Sequence, residues 1–328
     1  MAERPGEFEL IERLFRPLAD GFEGAFGLTD DAAVIPLGAG RVAVATQDAL
    51  VAGVHFPAGE APEAVAAKAL RVNLSDLAAM GAEPVAYLLA LALPAEVDLA
   101  WLERFADALG RDQRRYAIAL AGGDTVATPG PLMIAITAIG AAEPGRVLRR
   151  NGARAGDAVF VSGTIGDAAL GLDSLAGRLP AAVPAEVREA LVARLRYPEP
   201  RLALGRALVG VASAAIDVSD GLAADLGHVA AASAVAAELR AASVPLSAAA
   251  RAVLAAAPAL ITRVLAGGDD YELLFTAPAK ARDAVLRAAA AAGVPVTEIG
   301  EIRAGSGVRA VAADGTEVPL GAGGWTHF

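Results

Sequence analysis

The chain has 328 residues, of which 55% are hydrophobic, and a formal net charge of -10 at pH 7. This length predicts two domains of about 150 residues each rather than a single core. The absence of cysteine excludes disulfides and thiolate chemistry, and an acidic chain without a basic tract argues against nucleic acid as a partner.

Hydrophobic residues are frequent but never form a membrane span. No uncharged apolar run approaches the ~20 residues that cross a bilayer, and acidic residues interrupt the first turns of the chain, where a signal peptide would be apolar. We therefore predict a cytoplasmic protein with no membrane partner. The only lysines are Lys68 and Lys280, and neither has the neighbours of a P-loop, so Walker-type phosphate binding is excluded.

Residues 1–142 alternate between predicted helices and strands, which is typical of an α/β domain. A helix is predicted over 7–18, and a short strand directly after Asp30 and Asp31. The remaining predicted elements are a strand 41–46 ending at Gln47 and Asp48, a helix from Pro62 to about Gly81, a strand 85–93, a helix 97–116, a strand 117–121 that ends at the sequence GGDT, and a strand 132–141.

The helix that begins at Pro62 is the element around which this domain is organised. Alanine and leucine fall on every side of its helical wheel, which predicts a buried helix. Asn73 and Asp76 nevertheless lie three residues apart on it. A buried carboxylate needs a cation, hydrogen-bond donors or a wet cleft, so Asp76 is either half of a structural ion pair or part of a site.

A second domain is predicted over 143–328, and its first part, 143–157, is a Gly- and Arg-rich linker. The second domain is predicted to contain a strand 158–162, several Ala-rich helices, a short strand ending at Asp217, and a helix starting near Ser219 and Asp220 that continues through Asp225 and His228. Asp269 and Asp270 lie in a glycine turn before a strand at 272–276, and a helix 280–292, two or three strands and the tail GGWTHF follow.

Most of these aspartates are predicted to stand at strand ends or helix starts, where ligand sites of α/β sheets form. Several carboxylates in one crevice repel each other unless cations hold them together, and oxygen-only donors suit magnesium bound with phosphate. The pattern therefore predicts a metal-assisted nucleotide-phosphate site. Any single aspartate in a glycine turn is better explained as an Asx turn or a helix cap, and it is the number of these aspartates that favours the metal site.

The blocks TDDAAVI, TQDALVAGVHF, KALRVNLSDLAAMGAEP, GGDT, AIDVSDGLAADLGH and GGDDYELLF follow one another over nearly the whole chain. Together they closely resemble the thiamine-monophosphate kinase family, within the superfamily of aminoimidazole ribonucleotide synthetase and selenophosphate synthetase. Thr29 and Asp269 stand where similar proteins often have Gly and Glu.

The resemblance implies an α/β (α+β) fold of two domains like that of aminoimidazole ribonucleotide synthetase, with an N-terminal mixed-sheet dimerisation domain and a C-terminal α/β sandwich. It implies that ATP donates its γ-phosphate to thiamine monophosphate with several Mg²⁺ ions, in a homodimer whose site lies between the domains. The absence of a covalent intermediate is also expected, because the acceptor phosphate is itself a nucleophile.

The resemblance also assigns roles to individual residues. Asp76, Asp124, Asp217 and Asp220 are expected to be catalytic as metal ligands. The full expected ligand set is Asp31, Thr46, Gln47, Asp48, Asp76, Asp124, Asp217 and Asp220; Gly123, Arg150 and Ser219 are expected at ATP, and His55, Asp269 and Trp325 at the thiamine phosphate.

Two alternatives stay open on the sequence. One is another ATP-dependent synthetase of the same superfamily. The lack of cysteine argues against the selenium branch of that superfamily. The other is a non-catalytic regulator that binds a nucleotide or thiamine diphosphate. The complete set of acidic residues argues against this alternative.

Overall fold

The structure is a computed structural model that describes residues 6–30 and 32–320. The chain divides into two compact units, one formed by residues up to 77 together with 82–145, the other by 78–81 and the chain from 146 onward. Each unit contains one β-sheet. Among the described residues, no helix combines the length and the apolar character that a membrane span requires.

The first unit is a four-stranded sheet with helices. Its elements are α1 (Glu7–Leu10), α2 (Arg16–Ala19), β1 (Val42–Val51), α3 (Pro62–Ala79), β2 (Glu83–Leu93), α4 (Leu99–Tyr116), β3 (Ala119–Ala127) and β4 (Met133–Ala142). The strand order is β1-β4-β2-β3, with β4 antiparallel to both neighbours and β2 parallel to β3. A π-helical stretch, Ile11–Phe15, joins α1 to α2, so the predicted first helix is present in modified form.

Helix α3 is the buried helix that its composition predicts. Only Glu63 and Asp76 keep partial exposure between its first and last residue, and side chains on different faces, such as Leu70 and Leu74, are fully buried. Gly81 has φ 68 directly after the helix, a conformation that costs glycine little. The start, the end and the burial of α3 are therefore confirmed.

A buried ion pair joins α3 to α4. Arg71 donates from Nε and Nη2 to the two carboxylate oxygens of Asp112, each at 2.8 Å, and both side chains are 8% exposed. Helix α4 begins after Asp98, whose side chain accepts a hydrogen bond from Trp101 N at 2.9 Å, as an N-cap does.

Two predicted strand ends in this unit are wrong, and one predicted strand is absent from the described residues. Strand β1 does not end before Gln47 and Asp48, because its ladder with β4 continues to Val51. Strand β3 likewise runs through Asp124 in register with β2. The segment after Asp30 is irregular and forms no strand over 32–36. The rule that the aspartates stand at strand ends therefore fails for Asp48 and Asp124.

The second unit contains a seven-stranded mixed sheet. Its elements are β5 (Asp157–Ser162), α5 (Asp167–Leu175), α6 (Ala185–Arg196), α7 (Leu202–Leu208), β6 (Ala214–Asp217), α8 (Leu222–Ala232), β7 (Ala236–Arg240), α9 (Ala248–Ala256), α10 (Ile261–Ala266), β8 (Leu273–Pro278), α11 (Arg282–Ala292), β9 (Val296–Arg303), β10 (Gly307–Val311) and β11 (Glu317–Val318). The strand order is β11-β10-β7-β9-β5-β8-β6. Asp217 is the last residue of β6, as predicted.

Candidate active site

In the first unit, two side-chain hydrogen bonds join β1 to α3. Thr46 Oγ1 donates to Asp76 Oδ2, and Asn73 Oδ1 accepts from the backbone N–H of Asp48 at 3.1 Å. The amide nitrogen of Asn73 donates to Ala69 O at 3.0 Å, which fixes the orientation of the amide. Asn73 thereby holds the strand at the point where Asp48 faces Asp76.

Asp48 and Asp76 form a pair of like charges. Burial raises the pKa of the Asp48 carboxyl to about 6, and the charge of Asp76 is the second cause. A cation between the two groups would remove that repulsion, and oxygen donors from two carboxylates and a hydroxyl suit a hard ion. The residues present therefore fit magnesium.

The sheet register separates two further predicted ligands of this unit, Gln47 and Asp124, from that pair. Asp48 lies on the side of Leu89, which is buried, whereas Gln47 and Asp124 lie on the side of Leu88, which is 36% exposed. Adjacent residues of a strand point to opposite faces. Within one unit, then, Thr46, Asp48 and Asp76 come together, and the other two do not join them.

Gly123 and His55 have clear local roles. A Cβ at position 123 would overlap the carbonyl oxygen of Leu89, so β3 can approach β2 this closely only with glycine there. His55 lies in the turn after β1, where its Nδ1 accepts from Val51 N at 3.0 Å and its carbonyl accepts from Lys68 Nζ at 3.0 Å. Their roles toward a nucleotide or a substrate stay predictions.

In the second unit, backbone hydrogen bonds hold two loops side by side. Val218 N donates to Glu272 O at 2.8 Å, Tyr271 N to Val218 O at 2.8 Å, and Asp269 N to Ser219 O at 2.9 Å. The loop that carries Asp217, Ser219 and Asp220 therefore lies against the loop that carries Asp269. These predicted residues are brought together.

The second of these loops has an unusual backbone. Asp269 has φ 71 and Tyr271 φ 51, a left-handed conformation that aspartate tolerates better than most residues and that is uncommon for a bulky residue such as tyrosine. The phenol of Tyr271 donates to Asp269 Oδ1 at 3.1 Å. A Cβ on the preceding residue, Gly268, would overlap Ser219 O. The strained backbone at Tyr271, the close contact at Gly268 and the phenol hydrogen bond together hold the loop and the Asp269 carboxylate in place.

The start of α8 is organised by Asp225 rather than by Ser219 or Asp220. Asp225 Oδ2 accepts from the backbone N–H groups of Asp220 and Gly221, each at 3.1 Å. Burial, followed by the charge of Asp220, raises the pKa of Asp225 to about 7. A second pair of neighbouring carboxyl groups thus exists in this unit.

Asp270 differs from its neighbour in the sequence. Its carboxylate is 2% exposed and accepts from Gly166 N at 2.7 Å and Ala168 N at 3.2 Å, so it caps the start of α5. Burial raises its pKa to about 8, against the effect of these two bonds. The role of Asp270 is structural.

The remaining predicted site residues are Arg150, Asp31 and Trp325. Arg150 has an exposed side chain, and its carbonyl accepts from Ser233 Oγ at 3.3 Å. Asp31 and Trp325 lie outside the described residues.

Sequence reasoning gave no role to three residues that organise the site: Asn73, Asp225 and Tyr271. Asn73 could have been found from its spacing to Asp76. The other two depend on contacts between segments whose positions the sequence did not give.

Comparison with known proteins gives full-length matches. The family described as AIR synthase related protein matches with its N-terminal domain over residues 29–142 and with its C-terminal domain over 154–313. The thiamine-monophosphate kinase of Caulobacter vibrioides is 46% identical over 99% of this chain and 92% of its own length.

Two solved structures extend the similarity to the fold. The thiamine-monophosphate kinase of Stenotrophomonas maltophilia K279a is 44% identical, with a TM-score of 0.84 over 95% of this chain and 98% of its own. AaThiL complexed with AMPPCP and TMP is 34% identical, with a TM-score of 0.77 over 98% of this chain and 97% of its own. The expected two-domain mixed α/β fold is confirmed.

Proposed function

The chain belongs to the thiamine-monophosphate kinase family, and we propose from this that it transfers the γ-phosphate of ATP to thiamine monophosphate, giving thiamine diphosphate. The observation that carries the proposal is the similarity to such kinases along practically the whole chain. The related AaThiL structure holds AMPPCP and TMP, which are an ATP analogue and the acceptor class in question.

We also propose that several magnesium ions assist this transfer, with Asp31, Thr46, Gln47, Asp48, Asp76, Asp124, Asp217 and Asp220 as their ligands. When bound, they supply positive charge that offsets the repulsion between two phosphate groups. The chain's own contribution is to position these oxygens. The bonds from Thr46 to Asp76 and from Asp48 N to Asn73 support this role in the first unit, and the loop pairing around Ser219 supports it in the second.

Gly123, Arg150 and Ser219 are proposed to contact ATP, and His55, Asp269 and Trp325 the thiamine phosphate. The exposed guanidinium of Arg150 suits a phosphate. A carboxylate at position 269 suits the cationic thiazolium ring of thiamine. Residues 1–142 are proposed as the ATP, metal and dimerisation domain, and 143–328 as the second domain. A cytoplasmic location stays a prediction.

The proposed contact between Asp269 and thiamine monophosphate can be tested through Tyr271, which donates a hydrogen bond to Asp269. Tyr271→Phe removes the donor to Asp269 Oδ1 and should raise the KM for thiamine monophosphate about 10-fold or more, since a hydrogen bond to a charged group contributes about 1.5–3 kcal/mol. The KM for ATP should stay unchanged. Steady-state kinetics of Tyr271→Phe, Asp269→Asn and the double variant measure both effects.

If Tyr271 acts through Asp269, the double variant should be no worse than Asp269→Asn alone. Additive losses would mean that Tyr271 acts independently, and an increase in the KM for ATP alone would contradict the assignment.

The homodimer expected from the resemblance is proposed to form through the open face of the four-stranded sheet. Leu88 is 36% exposed and Val126 50% exposed on this face, where Ala45 and Ala49 of β1 are exposed as well. Gln47 and Asp124 share the face. An extended apolar sheet face of this kind is typical of a surface that a second copy covers.

Leu88→Arg should therefore convert the dimer to a monomer, because it places a charge in the centre of the apolar face. Sedimentation velocity measures the change. Leu286→Arg is the matched control, since Leu286 is 50% exposed on α11 and its replacement should leave the dimer intact. A monomeric wild-type protein would refute the proposed dimer.

The function is tested by incubating purified protein with ATP, Mg²⁺ and thiamine monophosphate and assaying thiamine diphosphate. Product that requires all three components is the expected result. ATP consumption at a rate that does not depend on thiamine monophosphate would favour another synthetase of the superfamily. Nucleotide binding without turnover would favour a regulator.

A further inference from the structure

Helix α8 carries a histidine on the same face as a buried aspartate. Asp225 and His228 lie three residues apart, the spacing at which helical side chains are neighbours. Asp220 precedes the helix. One ligand atom from each of these three residues lies within 4.8 Å of the other two.

The three side chains differ in a way that suits a ligand set. Asp225 is 1% exposed and is fixed by the amides of Asp220 and Gly221. A carboxylate has about four lone-pair positions, so it can keep these bonds and still bind an ion. His228 is exposed and therefore accessible from solvent, and Asp220 is half-buried.

The chemistry of this set differs from that of the proposed magnesium site. Magnesium prefers oxygen donors, whereas imidazole together with carboxylates suits zinc and its neighbours among the transition metals. Three protein ligands that leave a position for water or another group are typical of accessible zinc sites. The charge of Asp220 acts on Asp225, and it is a like charge that a divalent ion would neutralise.

We propose that Asp220, Asp225 and His228 form a binding site for a transition-metal dication, of which Zn²⁺ is the probe. Because Asp220 is also a proposed magnesium ligand, zinc bound here withdraws it from the phosphate site. Zinc is then an inhibitor of the kinase, and this inhibitory consequence rests on the proposed function. Binding itself does not.

The binding test is a titration of the full chain, freed of metal by a chelator, with Zn²⁺ in competition with a chromophoric zinc indicator. His228→Ala removes one of the three ligands and should weaken this site by at least the ~10-fold that loss of an outer-shell partner causes, so that filling it takes a correspondingly higher Zn²⁺ concentration. Mg²⁺ binding and the melting temperature should not change. Asp283→Asn, which removes an exposed carboxylate at the start of α11, is the control and should bind zinc like the wild type.

Equal zinc affinity and stoichiometry in wild type and His228→Ala would overturn the proposal, as would a wild type that binds no zinc. In the kinase assay with saturating Mg²⁺, Zn²⁺ should inhibit the wild type and should inhibit His228→Ala only at ~10-fold or higher concentration. If the protein proves not to phosphorylate thiamine monophosphate, the titration still decides whether the site exists.

Discussion

Asp48→Asn should remove most of the activity and at the same time stabilise the metal-free protein. Turnover is expected to fall about 10²- to 10³-fold, the usual loss when one preorganised electrostatic contact at a reaction centre is removed. Stability should change in the opposite direction, because the substitution removes a half-buried charge that faces Asp76. Asn73 contacts the backbone of residue 48, so the strand keeps its anchor.

The stability gain has a defined pH dependence. The pKa of Asp48 is raised to about 6 by burial and by Asp76, from about 4 in an unfolded chain. The neutral form is thus favoured on folding, and ionisation takes stability away from the folded wild type as pH rises through about 6. The difference between variant and wild type should vanish below about pH 4 and level off above about pH 7, at no more than about 3 kcal/mol.

Urea unfolding of both proteins in a chelating buffer, at several pH values, measures this difference. Asp107→Asn on the exposed side of α4 is the control and should give little change at any pH. Added Mg²⁺ should stabilise the wild type more than Asp48→Asn, because a ligand stabilises the state that binds it. Asp48→Asn with normal turnover would remove Asp48 from the proposed ligand set.

Glu272→Ala should be the most destabilising single substitution among those considered. Glu272 has no exposed surface, and it accepts from Ser162 Oγ at 2.6 Å, Arg201 Nε at 2.6 Å and Arg194 Nη2 at 3.0 Å. Arg201 also donates from Nη2. Removing the carboxylate leaves two guanidinium groups without this counter-charge, which costs about 3–5 kcal/mol.

Glu298→Ala is the matched control, because Glu298 also binds two arginines, Arg240 and Arg282. Its side chain is 26% exposed, against 0% for Glu272, so its pairs are screened and the expected cost is about 0–1 kcal/mol. Equilibrium urea unfolding measures both variants. Similar losses in the two would show that burial does not set the strength of the Glu272 network.

The hydrogen-bond network of Glu272 also explains why residue 163 is a glycine. Gly163 has φ 58, and a Cβ there would overlap the carboxylate of Glu272. The close approach of backbone and carboxylate thus depends on the absence of a side chain. This requirement appears only when β5 and β8 lie side by side.

The sequence predicted those elements whose signals are local. The span of α3 follows from its helix formers and from Gly81, and its burial follows from apolar residues on all sides. The end of β6 at Asp217 was equally readable, because the run Ser219–Gly221 follows the short apolar strand after only one further residue. The grouping of Asp48 with Asp76 was expected from the resemblance rather than from the pattern.

Strand lengths and faces were decided by tertiary structure. The sequence GGDT reads as a turn by itself, yet β2 supplies a ladder that carries β3 through it. The same register, and not the residue types, places Gln47 and Asp124 on the face opposite to Asp48. Asp269 and Asp270 are adjacent and alike, but one faces Tyr271 and the other caps α5.

The physical reason is the range of the interactions. Helix propensity, capping and glycine turns act over a few residues and can be read from the chain. Strand register, the Glu272 network and the contacts that organise α3 and β1 join residues distant in sequence, such as Ser162 and Glu272. These interactions contribute to stability only when the two segments are in contact. The sequence alone therefore supplied the residues of the candidate site, and the fold decided which of them act together.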